Sequence, residues 1–264
     1  MMRYLAFTTS AFQTRLAYRG QVWAQILGEL VTVFAKIAIW VSIYRGIVSV
    51  DGITRADMLT YAILGGTLLG AWEWPHLVNT ISTQIKTGDV AVFLLKPLHY
   101  PVMLLHSEIG NLGFKLTMVV VPVVIITSSV YGLLPPASVF HGAMFVAYWL
   151  LSFSLLFCLS AIAGLLSFWL MTAFSLEWLL RSLISILSGA FIPLWFFPEN
   201  IAAIIKFLPF AWIGFHPTAV YLGKMDVGQT LLYFLIGLGW MLFLAGIVTL
   251  LWRRATQRIV VQGG

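Results

Sequence analysis

Charge is what this sequence has least of. Only 9% of its 264 residues are Asp, Glu, Lys or Arg, against about 25% in a typical soluble domain. With 61% hydrophobic residues, a water-soluble fold of this length would expose large apolar patches and aggregate. The low charge therefore excludes an ordinary globular enzyme and points to the bilayer as solvent. Cysteine is nearly absent as well. Cys158 stands alone inside an apolar run, so no internal disulfide is possible, and it reads as a small core hydrophobe.

The motifs that carry chemistry are also missing. There is no GxxxxGK(S/T) phosphate loop and no kinase-like glycine loop, so the chain is not expected to bind ATP itself. There is no HExxH and no paired Cys or His spacing, so no metal and no cofactor is expected. There is no GxSxG elbow either, and no catalytic residue is assigned. Five histidines are spread singly. The net charge of +6 is carried by few residues set between apolar runs. That is the arrangement of a membrane protein with basic loops on one side, not of a nucleic-acid surface.

What the sequence does have is long apolar runs. Six of them, at 21–44, 57–79, 102–127, 139–165, 172–195 and 228–252, are as long as the ~20 residues a spanning helix needs. The expected fold class is an all-α integral membrane protein of about six transmembrane helices, with 1–264 forming one membrane domain. The first run begins near Gln21 with no short apolar core and cleavage site before it, so it is expected to remain as an uncleaved anchor. If the N-terminus is cytoplasmic, that side holds Arg3, Arg15, Arg19, Lys86, Lys96, Arg253, Arg254 and Arg258, and the other holds Arg45, Arg55, Lys206 and Lys224. The excess places both termini inside.

Three segments stand apart from the runs. Residues 1–20 are expected to form an interfacial helix, with Leu5, Phe12 and Leu16 on one face and Arg15 and Arg19 snorkelling to headgroups. Residues 80–101 are the longest polar break on the cytoplasmic side. Gly88 suits a helix C-cap and turn, and Pro97 and Pro101 stop a helix that begins near Asp89. A short helix, a turn and a second short helix are expected there, forming a docking surface. Residues 196–224 lie in a proline-broken aromatic stretch that begins at Pro193 and includes Pro198, Pro209 and Pro217. Such backbone at membrane depth must be buried in protein or line a cavity. Two short helices, near 199–208 and 211–222, are expected to re-enter from the outer face before the last span.

Charges inside the spans carry the remaining signal, because each costs about 2.5–3.5 kcal/mol at mid-bilayer. Glu29 and Lys36 lie seven apart on one helix face, as do Glu108 and Lys115, and Glu177 and Arg181 lie four apart. Both a substrate or ion pathway and structural pairing remain open for them. Glu73, in the sequence Trp72-Glu73-Trp74-Pro75-His76, has no partner on its own helix. It is expected either to face a central cavity or to be hydrogen-bonded between spans. Gly66 and Gly70 form a GxxxG step, which suits close helix packing within the chain.

The layout resembles the ABC-2 type permeases, the membrane subunits of a class of bacterial ABC exporters. The likeness is carried by Leu16-Ala17-Tyr18-Arg19, by Ile85-Lys86-Thr87-Gly88-Asp89 with Leu94-Leu95-Lys96-Pro97-Leu98, and by Ser188-Gly189-Ala190-Phe191-Ile192-Pro193 with Phe197-Pro198 and Leu208-Pro209. Gln262-Gly263-Gly264 fits one branch of bacterial members. The resemblance implies a dimer of permease subunits, identical or paralogous, in the cytoplasmic (inner) membrane, each docked on a separate cytoplasmic ATP-binding subunit. It implies coupling roles for Ile85, Lys86, Thr87, Gly88, Asp89 and Pro97. It also implies an outer gate near Pro193, Pro198 and Pro209; Glu73, from its own place in the second span, is expected on the translocation path. Asp89 is the only acidic residue of the docking segment. An ion-coupled secondary transporter is the main alternative, although the proline-broken stretch occurs once rather than in both halves. A lipid-acting membrane enzyme using Glu73 and His76 is a weaker one, for want of a nucleophile or oxyanion donor.

Overall fold

The computed structural model describes residues 2–17, 19–95, 98–170 and 174–262. Tyr18, Lys96, Pro97, Gly263 and Gly264, on which expectations were placed above, lie outside the described residues. The chain is almost entirely helical. Helix α1 (Met2–Ala17) precedes the first long helix, α2 (Arg19–Ile43). A two-stranded hairpin, β1 (Ser49–Val50) and β2 (Ile53–Thr54), turns through Asp51-Gly52 with positive φ at both, as a tight antiparallel turn requires. It leads into α3 (Arg55–Gly70). Then come α4 (Trp74–Thr87), α5 (Asp89–Leu94), α6 (Tyr100–Lys115) and, after a π turn at Leu116–Val120, α7 (Val121–Tyr131). Helices α8 (Val139–Leu165), α9 (Ser167–Leu170) and α10 (Phe174–Leu187) follow, then two short helices, α11 (Glu199–Phe207) and α12 (Phe215–Tyr221), and the final α13 (Val227–Gln262).

Among the described residues, four helices are long and apolar enough to cross a membrane: Gly20–Ile43, Tyr100–Tyr131, Val139–Leu170 and Val227–Gln257. The second and fifth apolar runs behave differently. The run at 57–79 is not one helix, because non-helical backbone interrupts it at 71–73. Pro75 explains the break: in a continuous helix its ring would meet the carbonyl of Ala71 and it would have no N–H to give it. The 16 residues of α3 then reach about 24 Å, short of the ~30 Å apolar core. The run at 172–195 leaves the helix after Leu187, where Ser188, Gly189 and Pro193 take over. At the C-terminus the last helix runs on to Gln262, well past the expected end at 252. Pro122 leaves α7 unbroken because the π turn just before it absorbs the mismatch.

Contacts between distant residues define two ends of the bundle. At one, Trp252 near the end of α13 stacks on Tyr100 at the start of α6, centroids 4.7 Å apart, and the Tyr100 hydroxyl donates to Gln84 at 2.6 Å. At the other, Lys224 reaches the carboxylate of Asp57 at 2.9 Å and the carbonyl of Gly52 at 3.2 Å. Asp57 also accepts from the Thr54 N–H at 2.9 Å, while its own N–H donates to the Thr54 hydroxyl at 3.2 Å, a reciprocal cap on α3. Small residues set the helix spacings. Gly66 lies against Val33 and Gly70 against Glu29, so the GxxxG step packs α3 on α2 within the chain.

Helix α1 is helical as expected but does not present the expected face to lipid alone. It lies along α6, with the Thr8 hydroxyl donating to the His106 carbonyl at 2.9 Å and Phe12 edge-on to Phe114. Leu5 and Leu16 remain exposed. Arg15 does not snorkel outward; it turns in to pair with Glu73. Closeness to α6 depends on Gly110, where any Cβ would overlap the backbone carbonyl of Thr8. Gly110→Val is therefore expected to lift α1 off α6 at a cost of about 1–3 kcal/mol. In membrane vesicles, trypsin should then cut after Arg15 much faster, and thermal unfolding should shift down. Unchanged proteolysis would refute the packing role of Gly110.

Candidate functional site

The site is best built from the break between α3 and α4. When α3 stops at Gly70, its last carbonyls lose their helical partners. The Lys115 ammonium, from α6, donates to the Gly70 carbonyl at 3.0 Å and lies 3.3 Å from the carboxylate of Glu73. A cation on exposed carbonyls at a helix C-terminus is favourable by charge as well as by hydrogen bonding. Glu73 itself stands just before α4 and is pinned from three directions. Arg15 of α1 pairs with one carboxylate oxygen. Lys115 and the Gln25 amide of α2, at 3.4 Å, meet the other. Glu29 covers Gly70 from the α2 side. Two acids and two bases thus sit together where four helical segments converge.

A cavity of about 20 Å³ adjoins this cluster, lined by Glu73, Lys115, Glu108, Asn111, Trp72 and Phe157 among others. That is space for about one water molecule, with several polar partners in reach. Trp72 closes it, stacked on Trp149 and Phe153 with centroids 4.9 Å away in each case. Glu73 is therefore both hydrogen-bonded between helices and at a cavity wall, although the cavity is too small to be an open path.

The seven-residue pairs do not pair with each other. Lys115 goes to Glu73, whereas Glu108 accepts from Asn111 at 3.1 Å and lies 3.9 Å from His76. Glu29 and Lys36 share a face of α2, but no ion pair joins them among the described residues; Glu29 lies over Gly70 and Lys36 near Gly66. The four-residue pair does form: Arg181 meets Glu177 at 2.8 Å, Asn79 of α4 donates to the same carboxylate at 2.8 Å, and Arg181 covers the Trp74 ring. The Glu73 side chain is committed to two cations, and His76 turns to Glu108. The two are not assembled as an acid–base pair.

In the segment expected to dock, the first helix is not a separate short one: it begins at Trp74, inside the second apolar run, and a turn and a short helix follow it. Helix α4 ends at Gly88, whose φ of +80° is the left-handed conformation that favours glycine, and α5 starts at the next residue. Lys86, Thr87, Gly88 and Asp89 are exposed and Ile85 is half-buried. The Thr87 hydroxyl donates to Asp89 at 2.6 Å across the turn. Behind this elbow, Val90 is buried and Ile81 fits against Gly164 of α8. The elbow is thus an exposed corner at the end marked by Trp252 and Tyr100. Pro97 lies outside the described residues.

The proline-broken stretch holds the two short helices expected of it, α11 and α12. Pro193 is buried before a tight turn at Leu194–Phe196, Pro198 is exposed before α11, and Pro209 is buried at the start of a turn through Trp212. None of the three touches Glu73's cluster in any hydrogen bond or ion pair. Arg15 and Gln25 were missed as partners of Glu73. Pro75, two residues beyond Glu73, was the signal that the helix breaks there and exposes a carboxylate to other segments.

Removing the hub carboxylate would leave Arg15 and Lys115 facing each other. Glu73→Ala is expected to cost about 3–5 kcal/mol, the range for an orphaned buried charge. Adding Lys115→Met to it should recover part of the loss, which a double-mutant cycle on thermal unfolding would show as non-additivity. Strict additivity would mean that the two residues do not interact.

A family model described as ABC-2 family transporter protein matches residues 30–263. No curated protein and no solved structure matches significantly. The matched region takes in α3 to α13, with Glu73, Lys115, the elbow and the proline-broken stretch inside it, while Arg15, Gln25 and Glu29 lie before it. The chain therefore belongs to the ABC-2 transporter family, multi-pass membrane proteins of transport.

Proposed function

We propose that this chain is the permease subunit of an ABC export system, forming the translocation path as a dimer and driven by a separate cytoplasmic ATPase. The observation that carries this reading is the exposed Lys86–Asp89 elbow at the end of α4. Helix α4 has 14 residues, so it makes a rod of about 21 Å. It runs from the elbow to the helix break at Glu73. A push on the elbow is delivered along that rod to Glu73, which is tied to α1 and α6 by ion pairs and to α2 by the Gln25 amide. ATP binding and hydrolysis then belong to the partner, and coupling to Ile85, Lys86, Thr87, Gly88, Asp89 and Pro97.

In this reading 1–264 is a single permease domain in the bacterial inner membrane with both termini in the cytoplasm. The broken α3–α4 unit and the short α10 complete six crossings, and α11 and α12 re-enter from the outer face. Pro193, Pro198 and Pro209 stiffen the outer gate. A partner permease subunit also accounts for Lys36. It stands at the wall of an apolar groove of about 430 Å³ with Ile39, Ile43, Phe191 and Ile192, and no ion pair engages it among the described residues. A cation at that depth is better covered by protein than by lipid tails. An ion-coupled transporter would need a carboxylate free to exchange its proton, and Glu73 is held between two cations.

Two experiments test this. Thr87→Pro or Asp89→Lys should uncouple ATP hydrolysis from export while the protein still inserts; normally coupled export would refute the docking role. A cysteine at Lys206 should label from outside intact cells and one at Lys86 only after access to the cytoplasm. The reverse pattern would overturn the orientation.

A further inference from the structure

At the end of the bundle opposite the elbow lies a second, larger cavity of about 310 Å³. Gln229 and Tyr233 of α13 line it, together with Phe215, Lys206 and Lys224. Further along the same helix runs a shallow apolar groove of about 340 Å³, walled by Ile236, Gly239, Trp240 and Phe243. The two are neighbours. Gln229, Tyr233, Ile236, Trp240 and Phe243 recur every three or four residues, so they share one face of α13. Phe207, at the end of α11, bridges them. Its ring lies 5.6 Å from that of Tyr233 between centroids, and its carbonyl accepts from the Trp240 indole at 2.8 Å. From Tyr233 to Phe243 the helix rises about 15 Å, which is half of the ~30 Å hydrocarbon core of a bilayer.

The cavity carries charge and the groove carries none. Lys224 is occupied by Asp57 and the Gly52 carbonyl. Lys206 is half-buried, its ammonium resting over the Phe215 ring at 5.8 Å, and no ion pair engages it among the described residues. A lysine at the edge of an apolar surface with its charge unmatched attracts an anionic headgroup. Asp51 also lines the cavity and repels a second negative charge. In the groove, nothing lies within 4 Å of where a side chain on Gly239 would begin, and Phe243 is exposed. The trough is therefore open along the helix face.

We propose that the cavity and the groove together hold one glycerophospholipid from the leaflet at that end, with its phosphodiester at Lys206 and one acyl chain along the groove. Charge selects the diester. Its single negative charge matches the uncommitted Lys206, whereas the Asp51 carboxylate opposes a dianionic monoester. Length and polarity select a membrane lipid over a soluble phosphate ester, because the groove is one leaflet deep and offers only apolar contact. The site rests on the chain being a membrane protein. It does not depend on the ATPase reading or on which side faces the cytoplasm.

The test is native mass spectrometry of the detergent-purified full chain, titrated with phosphatidylglycerol, with diacylglycerol of the same chains, and with soluble glycerophosphoglycerol. Phosphatidylglycerol should fill one saturable site. Diacylglycerol should bind about tenfold weaker for want of the charge, and glycerophosphoglycerol at least about tenfold weaker for want of the chains. Lys206→Met should weaken phosphatidylglycerol about tenfold, to the level of diacylglycerol, and leave diacylglycerol unchanged. Gly239→Leu fills the open trough, suits a helix better than glycine does, and should weaken both lipids severalfold. Neither site is buried, so both variants are expected to fold. No saturable site beyond loosely held annular lipid, diacylglycerol or glycerophosphoglycerol binding as tightly as phosphatidylglycerol, or affinity indifferent to either substitution would each overturn the proposal.

Discussion

A carboxylate placed where water is scarce must be neutralised, and in this protein that requirement falls on Glu73. Its position follows from Pro75, which breaks the helix and leaves both a charge and open carbonyls in the bundle. The answer is collective. Lys115 satisfies the Gly70 carbonyl and one oxygen of Glu73, Gln25 adds a donor, and Arg15 reaches in from α1. The seating of α1 on α6, close enough that Gly110 admits no side chain, brings Arg15 within reach of Glu73. Breaking such a set is costly, although each pair by itself is weak evidence of stability.

The opposite end solves a related problem with neutral groups. The chain from Ser188 to Leu222 is too broken by proline to satisfy its own backbone, yet much of it is buried. Its backbone is met from outside the segment or across it. The Tyr61 hydroxyl donates to the Gly189 carbonyl at 2.7 Å, the Phe215 N–H to the Ser188 carbonyl at 2.8 Å, the Trp240 indole to Phe207 at 2.8 Å, and Ser152 to the Trp212 carbonyl. Trp212, fully buried, returns a bond to Tyr233 at 3.0 Å. Irregular backbone persists among apolar residues because side chains of neighbouring helices complete its hydrogen bonds. The tryptophans and tyrosines here are structural donors as much as interfacial anchors.

Local features were legible in the residues themselves. The elbow at Gly88 could be read because a left-handed cap followed by a new helix start is a matter of a few adjacent residues. The Glu177–Arg181 bridge could be read because four residues is one helical turn. The two short helices after Pro198 could be read from proline spacing. The seven-residue pairs were not, since sharing a face says only that two groups look the same way. Lys115 found Glu73 on another helix, and Glu108 found Asn111 and His76. The apolar run at 57–79 hid its break because hydropathy averages over Pro75, and the fifth run hid its early end in the same way.

By composition and order alone, the sequence determined that the chain is a helical membrane protein, and where the four helices long enough to span among the described residues lie. Those properties depend on solvent and on neighbours within a turn or two, so they are written locally. The tertiary structure alone decided which charges neutralise which, and that α1 folds back on α6. Such pairings join residues as far as 167 positions apart, and the energy that selects them exists only once the helices have come together and water has left.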